Sequence, residues 1–157
     1  MMFTYRLVRL IETHADRLAA SLLEKVQTCP DLPSYRAVPA DELKERVYEI
    51  YRHLGQWLLD NNEHDIAVRY AGIGVRRAEQ SVPLSQLIQA IVLTKDNLWE
   101  YLKKEALIDR PVEVFGELEL LQMLEQFFDR AIYHAAVGYE SVTETRRLGS
   151  AAKHAPR

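Results

Sequence analysis

Cysteine, proline and long apolar runs are all scarce in this sequence of 157 residues. The single cysteine, Cys29, cannot form an intramolecular disulfide, which fits a reducing compartment. No stretch approaches the roughly 18 continuous apolar residues that a membrane-spanning helix needs. The first residues also lack the basic-then-apolar design of a signal peptide. We therefore expect a cytoplasmic protein that does not enter a membrane.

Charge of one sign is not in large excess either. The formal net charge is -3 and no dense stripe of lysine and arginine occurs, so binding of nucleic acid is disfavoured. Hydrophobic residues make up 48% of the chain and charged residues 27%, which is typical of a globular domain rather than a disordered segment. The length suits a single domain with a core of its own.

The sequence also lacks the motifs of common catalytic and cofactor sites. It has no His-Glu-x-x-His pair and no Glu-x-x-His pair, which excludes two familiar kinds of helical metal site. One cysteine cannot build a zinc or iron–sulfur cage. We predict no enzymatic activity, no metal and no cofactor. Residues far apart in the sequence can still converge in a fold, so an enzyme stays an alternative.

Proline and polar breaks divide the chain into five segments with helical periodicity. The segments span about 7–28, 40–60, 63–80, 83–104 and 112–147. In the first, for example, Ile11, Leu18 and Leu22 fall on one face. Ser81-Val82-Pro83 is a start signal for the fourth, with serine near the cap and proline in the first turn. We predict an all-α fold: a five-helix globin-like or helical-bundle domain over 1–147, with 148–157 as a flexible tail or linker.

The fifth segment is longer than a compact domain of this size needs, since its length would reach about 50 Å. Its apolar residues alternate three and four apart, the spacing of a coiled-coil seam. Because two-fold homodimers dominate soluble oligomers, this seam predicts an interface between two copies of the chain. The predicted interface residues are Leu121, Leu124, Phe128, Ile132, Ala135 and Tyr139. The alternative is a central helix wrapped wholly by its own domain.

Two glycines stand in the middle of the third segment, at Gly72 and Gly74. They resemble part of a phosphate loop, but no strand precedes them and no third glycine follows. Because glycine in mid-helix costs about 1 kcal/mol, the pair favours a close approach of two helices. Nearby Arg69, Arg76 and Arg77 are typical of a salt-bridged, solvated face, with binding of an anion or a partner's carboxylates as the alternative.

Two histidines are candidate ligand-binding residues. His14 lies on the apolar stripe of the first segment, and His134 lies beside Ala131, Ala135 and Gly138, which leave room around it. A histidine that faces a roomy apolar pocket is what a haem ligand would look like. A hydrogen-bonded core or interface histidine is the more ordinary interpretation. The alternative function is therefore a globin-like sensor that binds haem or another small ligand.

Three stretches resemble a known family. They read LIETHADRLAASLLEKV, LPSYRAVPADELKERV and GIGVRRAEQSVPLSQLIQAIVLTKDNLWEYL. Together they are similar to the N-terminal domain of RsbRD-type RsbT co-antagonist proteins, over roughly residues 7–135. The most specific part is the Arg-Ala-x-x-x-Val-Pro-Leu join between the third and fourth segments. This chain has Ser81 where such families usually have glycine.

The resemblance implies a bacterial sensory or regulatory domain for stress signalling. Related domains are dimeric and globin-like without haem, and their last helix joins a STAS output domain. Similar domains also precede histidine kinases, so a STAS-domain or kinase partner is expected. The family has no catalytic residues to carry over. Because this chain ends soon after the fifth segment, we expect either an excised domain or a stand-alone relative that acts in trans.

Overall fold

The computed structural model describes the main chain of residues 2–60, 62–104 and 111–153, and the side chains of residues 8–60, 62–104 and 121–150. Five α-helices account for most of this: α1 (Met2–Thr28), α2 (Ala40–Asp60), α3 (Glu63–Glu79), α4 (Leu84–Lys104) and α5 (Pro111–Lys153). No strand occurs in the described ranges. The prediction of an all-α, five-helix fold with a long C-terminal helix is confirmed.

Local sequence explains several helix ends. Asp41 and Glu42 occupy the first turn of α2, where the helix dipole favours negative charge. Asn62 caps α3, because its side chain accepts a hydrogen bond from the main-chain N–H of Asp65 at 3.2 Å. Lys103 and Lys104 lie in the last turn of α4, where the dipole favours positive charge.

Two helix pairs surround the core: α1 packs on α2, and α3 forms the most extensive contact of the fold with α5. The stripe predicted for α1 is buried, since Ile11, Leu18 and Leu22 are at most 2% exposed. Helix α4 joins the two pairs by packing on both α1 and α5. Burial of apolar side chains from all five helices in one cluster is the main stabilising contribution to such a fold.

Two segments differ from the prediction. The linker after α1 contains a short 3-10 helix, Pro33–Ala37, and buries Leu32, Tyr35 and Val38 in the core. Helix α5 does not end near Arg147 but continues to Lys153, so residues 148–153, predicted as flexible tail, are helical. The remaining predicted tail, 154–157, and most of the predicted break at 107–111 lie outside the described residues.

A polar network lies where Thr94 and Lys95 interrupt the apolar stripe of α4. The buried side chain of Asn97 donates to the main-chain oxygen of Leu18 at 3.2 Å and to the hydroxyl oxygen of Tyr51 at 3.0 Å. The Tyr51 hydroxyl in turn donates to the main-chain oxygen of Thr94 at 3.2 Å. These hydrogen bonds join α1, α2 and α4. Because hydrogen bonds are directional, they restrict the relative positions that the three helices can adopt.

Candidate functional site: the contact between the third and fifth helices

Helices α3 and α5 run side by side in the same direction. Glu63, at the start of α3, lies 3.0 Å from the ring of His134 and 3.7 Å from the guanidinium of Arg130. Near the end of α3, the main-chain oxygen of Ala78 accepts a hydrogen bond from Arg146 at 3.3 Å. The contact therefore extends over the whole length of α3.

Two glycines allow the backbones of these helices to touch. A Cβ atom at Gly74 would overlap the main-chain oxygen of Ala135 and lie 2.8 Å from the nitrogen of Tyr139. A Cβ atom at Gly138 would likewise overlap the main chain of Ala71, with the Cα at 2.7 Å. Close helix approach is therefore confirmed at Gly74.

Gly72 lies differently from its neighbour. It is exposed, and a Cβ atom built there meets nothing within 4 Å. The prediction of a close approach is therefore wrong at this position. Residues two positions apart in a helix point to nearly opposite sides of it, so only one glycine of the pair can face α5.

The join between α3 and α4 is a tight turn closed by main-chain hydrogen bonds. The N–H of Ser81 donates to the oxygen of Ala78 at 3.0 Å, and the N–H of Val82 donates to the oxygen of Arg77 at 3.0 Å. Ser81 has a φ of 60°, the left-handed conformation that glycine usually supplies at such a helix end. The residue predicted as a cap for α4 therefore ends α3 instead, and Pro83 directly precedes α4.

A charged cluster holds this join against the start of α2. The carboxylate of Glu42 accepts hydrogen bonds from Arg76 at 3.0 Å, from Arg77 at 3.1 Å and from the side chain of Gln80 at 3.2 Å. Arg77 also donates to the Gln80 side-chain oxygen at 2.7 Å and lies 5.7 Å from the ring centre of Tyr35. Arg76 lies on a salt-bridged face as predicted, but Arg77 is only 3% exposed and belongs to the core.

Two groups of this cluster, Glu42 and Tyr35, have shifted pKa values. Hydrogen bonds from Arg76 and then Arg77 lower the pKa of Glu42, against the opposing effect of burial. Burial raises the pKa of Tyr35 to about 12, although the nearby charge of Arg77 acts in the other direction. At neutral pH the cluster therefore contains an ionised carboxylate, two guanidinium groups and a neutral phenol.

Side chains of α5 also bind the join. The hydroxyl of Tyr139 donates to the main-chain oxygen of Val82 at 2.6 Å, and Arg146 binds the oxygen of Ala78 as described above. Tyr139 was predicted to contact a second copy, but its hydroxyl contacts its own chain. No sequence pattern pointed to this role or to that of Arg146, because both depend on which turn of α5 lies beside the join.

The seam predicted from the spacing of α5 packs inside its own domain. Leu124, Phe128 and Ala135 are at most 1% exposed, and Leu121, Ile132 and Tyr139 are half-buried against the same core. The a/d spacing therefore marks the core-facing side of the helix. That these residues form an interface between two copies stays a prediction.

The opposite face of α5 carries exposed apolar side chains instead. Tyr133, Val137 and Leu148 are 58%, 45% and 63% exposed. Their spacing of four and eleven residues places them on one side of the helix, away from Leu124, Phe128 and Ala135. Every residue from Thr143 to Ser150 is exposed, so the end of α5 stands clear of the core.

Among the residues that the structure describes, the two candidate histidines contact a carboxylate and aromatic rings. His134 lies between the carboxylate of Glu63 and the ring of Tyr133, whose centre is 5.1 Å away. His14 is half-buried beside Tyr101, at 5.5 Å between ring centres. The room expected around His134 is filled by α3, which approaches closely through the same small residues. Binding of haem or another small ligand at His14 or His134 stays a prediction.

Within the described ranges, no group of three or more histidine, cysteine, aspartate or glutamate side chains is arranged to hold a metal ion. None of the helices described is both long enough and apolar enough to cross a membrane. The features that the described residues do present are the close contact of α3 with α5 and the exposed apolar face of α5.

Comparison with protein families places the chain among signalling and regulatory domains. The family model described as the RsbT co-antagonist protein rsbRD N-terminal domain matches residues 9–152, and the chain belongs to this family. No curated protein and no solved structure gave a significant match. The matched range includes the α3–α4 join and α5, on which the proposals below depend.

Proposed function

We propose that this domain is a non-enzymatic bacterial signalling module that dimerises through the exposed face of α5. A change in packing within the domain would then be passed along α5 to an output partner. Membership of the family supports the signalling role. The partner we propose is a STAS domain or a kinase, in the cytoplasm and in a stress response.

The observation that carries the proposal is the way α5 is held. Its core-facing side is buried, Gly138 places its backbone against α3, and Tyr139 ties it to the α3–α4 join. Its last turns are exposed. A helix held against α3 along its middle, with its last turns exposed, would convert a small displacement of α3 into a movement of those last turns.

The proposed dimer contact is the outer face defined by Tyr133, Val137 and Leu148. A two-fold axis would bring this face against its own copy, so that each of these residues is removed from water in both copies. The face lies on the helix that transmits the signal. Movement of α5 would therefore change how the two copies meet.

Sedimentation velocity of Val137→Glu tests this contact. We expect the wild-type protein to sediment as a dimer and the dissociation constant of Val137→Glu to rise by at least about tenfold, because each copy would bury an unpaired carboxylate. The matched control is Leu59→Glu on α2, since Leu59 has a similar exposure of 48%. This control should stay dimeric. A monomeric wild type, or a Val137→Glu variant as dimeric as the control, would contradict the proposal.

A further inference from the structure

An open cavity lies between α1 and α4, with a volume of about 200 Å³. Its lining contains three cationic side chains, Arg17 and Lys25 from α1 and Lys104 from α4. Among the described residues that line it, only Glu100 carries a carboxylate. Two positive charges are therefore in surplus at this cavity, although the formal net charge of the chain is -3. A surplus of this sign attracts an anion.

A buried amide of the lining fixes the position of one of these cations. Asn97 is only 3% exposed, and its side-chain oxygen accepts hydrogen bonds from the ammonium group of Lys25 at 2.8 Å and from the hydroxyl of Ser21 at 3.1 Å. Lys25 also binds the carboxylate of Glu100 at 2.6 Å. An ammonium group has three N–H donors, so one of them remains for a further acceptor. Because the group is already held in place, a ligand loses less free energy in ordering it.

The cations of the cavity differ in how far their charge is compensated. Glu100 pairs with Lys25 at 2.6 Å and with Lys104 at 3.2 Å, and the hydrogen bonds from Lys25 and then Lys104 lower its pKa. One carboxylate thus serves two ammonium groups. Arg17 makes no hydrogen bond or ion pair with any residue that the structure describes, and no acidic residue lies three or four positions from it in α1. Its guanidinium group is therefore available to a ligand.

We infer that this cavity binds a small organic dicarboxylate. The guanidinium group of Arg17 presents parallel N–H donors that match one carboxylate. Lys25 lies two turns further along α1, about 12 Å away along the helix axis, and would bind the second carboxylate. Donors that are this far apart fit an anion with its charges at two ends better than a compact one such as inorganic phosphate. A water-sized group needs about 10–15 Å³ of such space, so the cavity suits a molecule of roughly ten non-hydrogen atoms.

The site deepens the proposed function, on which its meaning as a signal rests. A carboxylate beside Lys25 competes with Glu100 for the ammonium group, and so changes one of the contacts that join α1 to α4. The same ammonium group binds Asn97, whose amide donates to Tyr51 of α2. Helix α4 also packs on α5. A shift of α4 on binding would therefore reach the helix that carries the proposed dimer face.

Titration of the 15N-labelled protein with glutarate, at pH 7 and constant ionic strength, tests the site. We expect the amide signals of Ser21 and Asn97 to shift saturably, with a dissociation constant of about 0.1–10 mM for a ligand of this size. The signal of Gly72, which is exposed on α3, is the internal control and should not move. Pentanoate has the same five carbons but one carboxylate, and should bind at least about fivefold more weakly.

Two arginine variants locate the binding. Arg17→Ala should weaken the binding of glutarate at least about fivefold, because it removes the guanidinium group that holds one carboxylate. Since Arg17 is exposed and has no partner among the described residues, the fold should not change. The matched control is Arg9→Ala, which removes the same charge from an exposed position of α1 outside the lining. It should change the dissociation constant by less than about twofold, since solvent and salt screen a distant exposed charge.

If the signals do not saturate with glutarate, or if the two arginine variants weaken binding equally, the cavity attracts anions only through general charge and the proposal is wrong. Binding of pentanoate or inorganic phosphate as tight as that of glutarate would overturn the assignment of a dicarboxylate. The titration measures binding between α1 and α4, whereas sedimentation measures dimerisation, so the two proposals can fail separately.

Discussion

At the scale of single residues, Ser81 contributes to the α3–α4 join through its backbone conformation rather than through its side chain. Ser81 adopts a φ of 60°, and the main chain around it makes the two hydrogen bonds that close α3. Glycine adopts this conformation without a steric cost, which explains why glycine is common at such helix ends. The Val-Pro-Leu motif that follows places Val82 in the core and its oxygen within reach of Tyr139.

Glu42→Gln should destabilise the domain at neutral pH by about 2 kcal/mol, because buried Arg77 would lose its charged partner. The pKa of Glu42 in the folded state is lowered from the ordinary value of 4.5. Its ionised form therefore contributes stability above pH 4.5, and this contribution is lost as the pH falls through the folded-state pKa. Urea unfolding at pH 7 and in steps below pH 4.5 should show the difference between variant and wild type shrinking.

The matched control is Glu49→Gln on the same helix. Glu49 pairs with Arg46 at 3.4 Å, and both side chains are 41% exposed, so this change should cost less than about 0.5 kcal/mol. If the two variants lose the same stability at pH 7, or if the loss in Glu42→Gln does not depend on pH, the cluster does not stabilise the join electrostatically.

At the scale of elements, the two glycines of α3 provide a matched pair of substitutions. Gly74→Ala should lower the free energy of unfolding by about 2 kcal/mol or more, because its methyl group would overlap the backbone of α5. Gly72→Ala should raise it by about 0.5–1 kcal/mol, because alanine is the better helix former in open space. Thermal and urea unfolding measure both. Equal effects of the same sign would mean that α3 and α5 do not touch at Gly74.

The helices could be predicted from the sequence because proline and polar breaks mark their ends directly. Which side of each helix packs in the core and which side is exposed could not be predicted in the same way. A spacing of three and four residues arises both in a dimer seam and in any helix that packs against its own domain. Phe128 and Ala135 follow that spacing because they fill the core, while exposed Tyr133 and Val137 are too few to give a periodic signal.

The candidate site was only partly visible in the sequence for a similar reason. Gly74 pointed to a helix contact, but nothing in its neighbourhood identified α5 as the partner. Tyr139 and Arg146 lie far from the α3–α4 join in the sequence, and only the fold brings their side chains to the main-chain oxygens of Val82 and Ala78. Hydrogen bonds to main-chain oxygens leave no pattern along the sequence, so none could show them.

At the scale of the whole molecule, the domain consists of two helix pairs joined by α4, with α5 common to the core, the proposed dimer face and the exposed end. A shift of α3 against α5 would reach the dimer face through a single rigid helix. We therefore predict that the end of α5 has one defined position in the resting dimer and another when the hydrogen bonds between α5 and the α3–α4 join are weakened.

The most direct test is a distance between the two copies at the end of α5, measured by double electron–electron resonance. A spin label on Arg147→Cys, an exposed position, in a Cys29→Ser background would report it. We predict a single narrow distance distribution, which shifts or broadens when Tyr139→Phe removes the hydrogen bond to Val82 while the dimer persists. The absence of any distance between copies would contradict the dimer, and an unchanged distribution in Tyr139→Phe would contradict the relay through α5.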